Sequence, residues 1–292
     1  MKNGLYSIFD KSNIIEITKD SPYYPVEWQK LSGAPEILYG VGNVELLKTR
    51  KFCIVGSRRS LASTLKLTAQ IATELSQEFT LVTGTADGGD SAVLEGALKG
   101  SGKVISVLAG GFSALPKGQI ALLEQVAKKG LVISAHAYET TVRNFSYEYR
   151  NKLLARLSEG VLVVSAGETS GALITAKYAE KIGIPLFALP YAPHTPSGEG
   201  CNALLKKGAK LVESADDIFQ AFGIEKKDKK QSVVLNTDEE KILQVIRESA
   251  DAHITLLSEV TGMPAFKIKI ICTSLEMKGL IASLGGNRYS GV

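Results

Sequence analysis

The 292-residue sequence predicts an α/β fold, a Rossmann-like doubly wound and mostly parallel sheet followed by a small C-terminal winged-helix domain. Three observations predict it. Short unbroken apolar runs recur through the middle of the chain, as strands buried on both faces require. Amphipathic stretches of helical period separate these runs, and strand–helix–strand crossovers build a parallel sheet. A charged run then divides this region from a tail of three short helical patterns and a glycine-turned hairpin.

The strands are predicted at 52–55, 81–83, 104–108, 131–134, 161–164 and 186–189, and the helices at 61–76, 91–99, 119–128 and 172–181. The first 45 residues break the pattern. Tyr24-Pro25, Trp28, Pro35 and Leu38-Tyr39 form an aromatic segment expected to cap the sheet domain, while 6–18 are assigned to no element. Residues 46–224 form the sheet domain, with a last helix at 216–222. The run 225–236 reads as a solvated linker. Residues 237–292 form the tail domain: Thr237 as a helix cap with Glu240 reaching back, helices at 238–249, 255–261 and 264–278 with Pro264 in a first turn, then a strand, a Gly-Gly-Asn turn and a strand.

Composition narrows the function. A 45% hydrophobic content excludes disorder as the main state. No apolar run approaches the ~18–20 residues that span a bilayer, so no membrane association is expected. Asp10, Glu16 and Asp20 interrupt the first twenty residues, which argues against a secretory leader. Cys53, Cys201 and Cys272 are far apart in sequence, which suits a reducing, cytoplasmic setting. Three scattered histidines share no metal-ligand spacing, so neither metal nor cofactor is expected. The net charge of +4 is spread evenly, with 10 basic and 9 acidic residues from 224 onward, so a polyanion must be held by a local patch.

Five loops follow predicted strands and converge where doubly wound sheets bind ligands. In Val55-Gly56-Ser57-Arg58-Arg59, Gly56 permits a close turn, the amides near a helix start favour an anion, and Arg58 can fork onto phosphate; a tight turn with a solvated arginine pair is the plainer alternative. The loop is neither G-x-G-x-x-G nor a Walker A sequence. In 83–90, three glycines point to close backbone approach, and Asp90 reads as a cap for the next helix. The stretch from Arg143 to Lys152 interleaves three aromatics with three cations, a pattern that attracts phosphates and stacks bases, or an ordinary helix start with core aromatics. Ser170 and Gly171 open a helix after a strand, a second cradle of amides. The fifth loop runs from Tyr191 to Cys201. There is no G-x-S-x-G elbow, and His136 reads as a structural imidazole, so no catalytic set assembles.

In order and spacing these motifs resemble the DNA-processing protein A (DprA/Smf) family over about 24–213. Val55-Gly56-Ser57-Arg58 is similar to its G-S-R loop, and Thr83-Gly84 through Asp90 to its S-G-x-A-x-G-x-D pattern. Tyr147-x-x-Arg150-Asn151-Lys152 is similar to F-P-x-R-N-R, and Ser170–Ala176 to S-G-[ST]-L-I-T-A. Ala135, Ser165, Tyr191, Leu115 and Gln119 depart from the family pattern, marking a divergent member. The resemblance implies a non-enzymatic single-stranded DNA binder that protects the strand and loads RecA onto it in transformation or recombination, working as a homodimer through the sheet domain. It places Arg58 on phosphate, Tyr147 in stacking, and Arg150 and Lys152 in the groove, with Gly56, Ser57, Arg143, Asn151, Ser170 and Gly171 beside them. Two other readings are weighed. In a nucleotide sensor or phosphoribohydrolase of the lysine-decarboxylase-like group, Glu168 would act on the sugar. In a duplex reader, the tail's Lys267, Lys269, Lys278 and Arg288 would touch the backbone, although tail carboxylates balance them and partner docking is equally open.

Overall fold

The computed structural model describes residues 7–29, 31–225, 235–249 and 251–291, and the chain divides after Glu225 into two units. In chain order the first unit contains β1 (Ile15–Thr18), α1 (Val26–Gln29), β2 (Ile37–Gly42), β3 (Lys51–Gly56), α2 (Ala62–Leu75), β4 (Thr80–Thr83), α3 (Gly89–Lys99), β5 (Val104–Leu108), α4 (Ile120–Lys129) and β6 (Leu131–Ser134). It continues with α5 (Asn144–Arg156), β7 (Val161–Ser165), α6 (Ala172–Ile182), β8 (Leu186–Ala188), α7 (Glu199–Lys206), β9 (Lys210–Leu211) and α8 (Ala215–Ala221). Nine strands form one sheet in the order β1-β2-β6-β5-β4-β3-β7-β8-β9. Strands β3 to β9 run parallel.

The expected α/β architecture is present, and each predicted strand and helix of the sheet domain ends within two residues of its observed bounds. The first 45 residues depart from the reading as a cap, because β1 and β2 extend the sheet itself. Strand β2 lies antiparallel to both neighbours, with Ile17 opposite Leu38 and Tyr39 opposite Ser134. The rest of the segment covers one face: Trp28 is fully buried and its indole N–H donates to the Leu153 carbonyl of α5 at 3.1 Å.

Alternation along β3 sorts the core into two layers, as a pleated strand covered on both faces must. Phe52 and Ile54 join Ile71 and Leu75 of α2, Val93 and Leu94 of α3, and Leu123 and Val126 of α4. Cys53 and Val55 join Trp28, Leu153 and Leu154 of α5, and Ala176 and Ala179 of α6. Each large side chain so buried contributes roughly 1.5–3 kcal/mol. From β3 the chain steps outward through β4, β5 and β6, then returns to the other side of β3 as β7. The strand order therefore reverses between β3 and β7, and the crevice beyond their carboxyl ends is where such sheets take ligands.

The second unit contains α9 (Thr237–Glu248), β10 (Ala252–His253), α10 (Ile254–Thr261), α11 (Ala265–Met277), β11 (Ile281–Gly285) and β12 (Arg288–Gly291). Its antiparallel sheet has the order β10-β12-β11. Ile242, Ile246, Leu257, Ile268, Cys272 and Leu275 form its core. Asn236, rather than Thr237, caps α9. The Asn236 side chain accepts from the Glu239 amide at 2.9 Å, and the Asn236 amide donates to the Glu239 carboxylate at 2.9 Å. Glu239 sets this register because its carboxylate is buried and also accepts from Ser274 Oγ at 2.7 Å and Lys278 Nζ at 2.6 Å. Most of the expected linker, residues 226–234, lies outside the described residues. No described helix is long and apolar enough to cross a membrane.

Candidate nucleic-acid interface

An open cleft of about 870 Å³ lies beyond the ends of β3 and β7, at the strand reversal. Its first wall is the loop after β3. The Ser57 amide donates to the Ser165 carbonyl at the end of β7 at 2.9 Å, and the Gly89 amide donates to the Ser57 carbonyl at 3.1 Å, so three chain segments are laced together. Two glycines make the approach possible. A Cβ on Gly89 would meet the Gly56 α-carbon at 2.5 Å, and Gly88 adopts φ +82 with the Ser57 carbonyl 2.6 Å from where its Cβ would be. Asp90 does not cap its own helix. Its carboxylate accepts from the Ala86 amide at 3.1 Å and the Gly56 amide at 3.4 Å, holding the loop to the strand end.

The second wall is α5, started by reciprocal bonds between Ser146 and Arg143: Ser146 N–H to the Arg143 carbonyl at 2.9 Å, Arg143 N–H to Ser146 Oγ at 3.1 Å. Tyr147 and Arg150 are three residues apart and so share a helix face. Tyr147 stays exposed at the mouth, its ring centroid 5.8 Å from the Arg58 guanidinium of the opposite wall. Arg150 lies deeper and is only 7% exposed. Its guanidinium donates to the Val107 carbonyl at 3.1 Å and to Asn151 Oδ1 at 2.8 Å. It crowds Gly84 together with Asp90, where a side chain on residue 84 would collide with both. Burial pushes the Asp90 carboxyl up and the Arg150 guanidinium down, and each charge offsets this for the other. Arg150 is thus a floor post rather than a solvent-facing phosphate hand.

The third wall opens α6. Asn151 Nδ2 donates to the Gly171 carbonyl at 2.9 Å, joining α5 to that helix start. The loop after β8 closes the rim. Tyr191 fastens it, donating its hydroxyl to the Val164 carbonyl at 2.6 Å, while the Asn202 side chain bonds the Tyr191 amide at 3.0 Å and its carbonyl at 2.9 Å.

Of the sequence-derived candidates, Gly56, Ser57, Arg58, Tyr147, Arg150, Asn151, Ser170 and Gly171 line this cleft. Arg143 and Lys152 do not. Lys152 pairs with Glu148 at 3.4 Å and stands 5.0 Å from the Tyr178 ring, on another face of α5. Arg59, Ser60, Thr169, Thr195 and Ser197 line it as well and were not singled out. Arg59 is legible as the second residue of the arginine pair, whereas Thr195 and Ser197 lie in the fifth loop, where no local pattern marks a single residue. Arg58 and Arg59 are exposed, and Asp90 is the one lining carboxylate among the described residues. The cleft therefore presents cations, helix-opening amides and an exposed ring. Glu168 is exposed and outside the lining, and His136 packs 5.7 Å from the Tyr149 ring instead.

The chain is 34% identical over 215 residues to DNA processing protein DprA of Bacillus subtilis, covering 73% of this chain and 72% of that protein. The structure of DNA processing protein A from Streptococcus pneumoniae superposes with a TM-score of 0.68 at 32% identity, over 73% of this chain and 75% of that one. That of the Helicobacter pylori protein, described for its single-stranded DNA binding mode, gives 0.65 at 28% identity, over 72% and 95%. The family model for DNA recombination-mediator protein A matches residues 16–223, from β1 to just beyond α8. The sheet, the strand-end loops and the arginine–tyrosine mouth all fall inside those bounds, and the chain belongs to the DNA recombination-mediator protein A family.

Proposed function

We propose that the chain binds single-stranded DNA in this cleft without catalysis, protects the strand and delivers it to RecA during transformation or recombination in the cytoplasm. The observation that carries the reading is the Arg58–Tyr147 pair, 5.8 Å from guanidinium carbon to ring centroid across the cleft mouth. A cation beside an exposed ring suits the repeating unit of an unpaired strand, phosphate then base face, and tolerates any sequence because every base has a π-face. A duplex, whose bases are stacked inward, cannot offer a base to Tyr147. The absence of a solvent-facing carboxylate from the described lining supports a holding role over sugar chemistry. The three helices and three-stranded antiparallel sheet of the second unit support a winged helix, and family membership supports a homodimer joined through the sheet unit.

The test is competition of single-stranded against double-stranded DNA for the full chain, with RecA filament assembly followed in the same samples. Single strands are expected to win, and Arg58→Ala is expected to weaken all sequences about equally while lowering the slope of log affinity on log salt by about 0.7. Unchanged binding by Arg58→Ala across a salt series removes the cleft from the mechanism.

A further inference from the structure

The second unit contains a surface that single-strand binding does not use. On α11 the side chains of Ile268, Ile271, Cys272 and Leu275 face the core. On the opposite side lie Phe266, Ile270, Thr273 and Met277, which fall within about 60° of one another at 3.6 residues per turn. Phe266 is 70% exposed, Ile270 67% and Met277 85%. A helix reading a DNA groove needs polar and cationic side chains on such a face. Here the stripe is apolar, and three of the four cations considered for a duplex are already neutralised: Lys267 by Asp238 at 2.6 Å, Lys278 by Glu239 at 2.6 Å and Arg288 by Asp251 at 2.7 Å.

We propose that this face of α11 docks against the same face of a second copy of the chain, the two helices running antiparallel about a two-fold axis. Charge selects this occupant. Lys269 and Glu276 lie on one flank of the stripe, both exposed and neither ion-paired among the described residues, with the Glu276 carboxylate accepting from the Ser283 amide at 3.3 Å. In the antiparallel arrangement Phe266 meets Met277 and Ile270 meets Thr273, and Lys269 lies two residues, about 3 Å along the axis, from the level of Glu276 of the second copy, within side-chain reach, twice by symmetry. Lys267 and Lys278 lie on the other flank, where pairing sets lysine near lysine, and these are the two that already hold their own carboxylates. Four side chains a side bury less than the roughly 1,200 Å² of a stable interface, so the contact is weak alone and is best read by trapping. The inference is independent of DNA binding.

The experiment uses the full chain. A size-tagged Ile270→Cys protein is mixed with untagged Thr273→Cys under mild oxidation, and mixed-size disulfide dimers are quantified on non-reducing gels. The native thiols Cys53, Cys201 and Cys272 are buried and contribute little background. The mixed dimer is expected to form several-fold faster than from Lys241→Cys pairs, whose cysteine lies on the exposed side of α9. Adding Lys269→Glu to both proteins should lower it to that control, and adding Glu276→Lys as well should restore it. A mixed dimer no faster than the control, indifference to Lys269→Glu, or failure of the charge swap to rescue overturns the proposal. Arg58→Ala in the same assay should change nothing, which separates this result from the fate of the DNA reading.

Discussion

Arg150 and Arg58 share a cleft and a residue type but differ in surroundings, Arg150 being buried and Arg58 exposed. Replacing Arg150 by Met keeps length and flexibility but removes the charge and the bonds to the Val107 carbonyl and Asn151 Oδ1. Asp90 stays behind, buried, still accepting from the Ala86 and Gly56 amides but without its cation. Breaking a buried charge pair by deleting one partner costs about 3–5 kcal/mol, because the remaining charge is left uncompensated. A unit of this size loses about 2–4 °C per kcal/mol, so the expected fall in Tm is about 6–20 °C. Trp28 is the chain's one tryptophan, fully buried and bonded to Leu153 in the same helix as Arg150, so its fluorescence during urea unfolding reports this unit directly. Combining Arg150→Met with Asp90→Asn should cost less than the sum of the two, with coupling of about 0.5–3 kcal/mol. If Arg150→Met unfolds within about 1 kcal/mol of the parent yet loses oligonucleotide affinity, Arg150 is a solvated phosphate contact and the floor-post argument is refuted.

Other outcomes follow from the same geometry. Tyr147→Ala should weaken single-stranded oligonucleotides by about 1–3 kcal/mol in fluorescence anisotropy without moving the Trp28 unfolding midpoint. Gly89→Ala should destabilise the first unit by about 1–3 kcal/mol, since its Cβ meets the Gly56 backbone, which cannot swing aside as a side chain would; denaturant midpoints measure it. In the second unit, Lys278, Ser274 and the Asn236 amide hold the Glu239 carboxyl down to about 2 from the ordinary 4.5. A carboxyl with a lowered folded value stabilises above its unfolded value and loses that contribution as pH falls through the folded one. The second unit should therefore weaken between about pH 4.5 and 2, and Glu239→Gln should flatten that limb in circular dichroism melts.

Much of the sheet was readable because fully buried parallel strands leave unbroken apolar runs whose ends are marked by glycine. The antiparallel strands β1 and β2 leave no such run: at the sheet edge, Ile15–Thr18 buries only Ile17, so its four residues carry almost no pattern. The site was readable in part. Gly56, Arg58 and Tyr147 follow from motif spacing, and the exclusion of Lys152 was also within reach, since residues 150 and 152 on one helix point about 200° apart. For Asp90 and Thr237, a helix-start residue type suggested capping. The actual partners, the Gly56 amide 34 residues away and Glu239 tied to Lys278, could not be read from local sequence.

By itself, then, the sequence determined the alternation of strands and helices, the glycine-bearing loops that gather at the strand ends, and the family. These are local or periodic properties, written into residue types a few positions apart. The tertiary structure decided what depends on pairing across long separations. It set β2 against β6, roughly 95 residues on, made one arginine a buried post and left another exposed at the mouth, and turned the apolar stripe of α11 outward. Burial is a property of neighbours rather than of a residue, and it separates a cation that supports the fold from one left open to solvent.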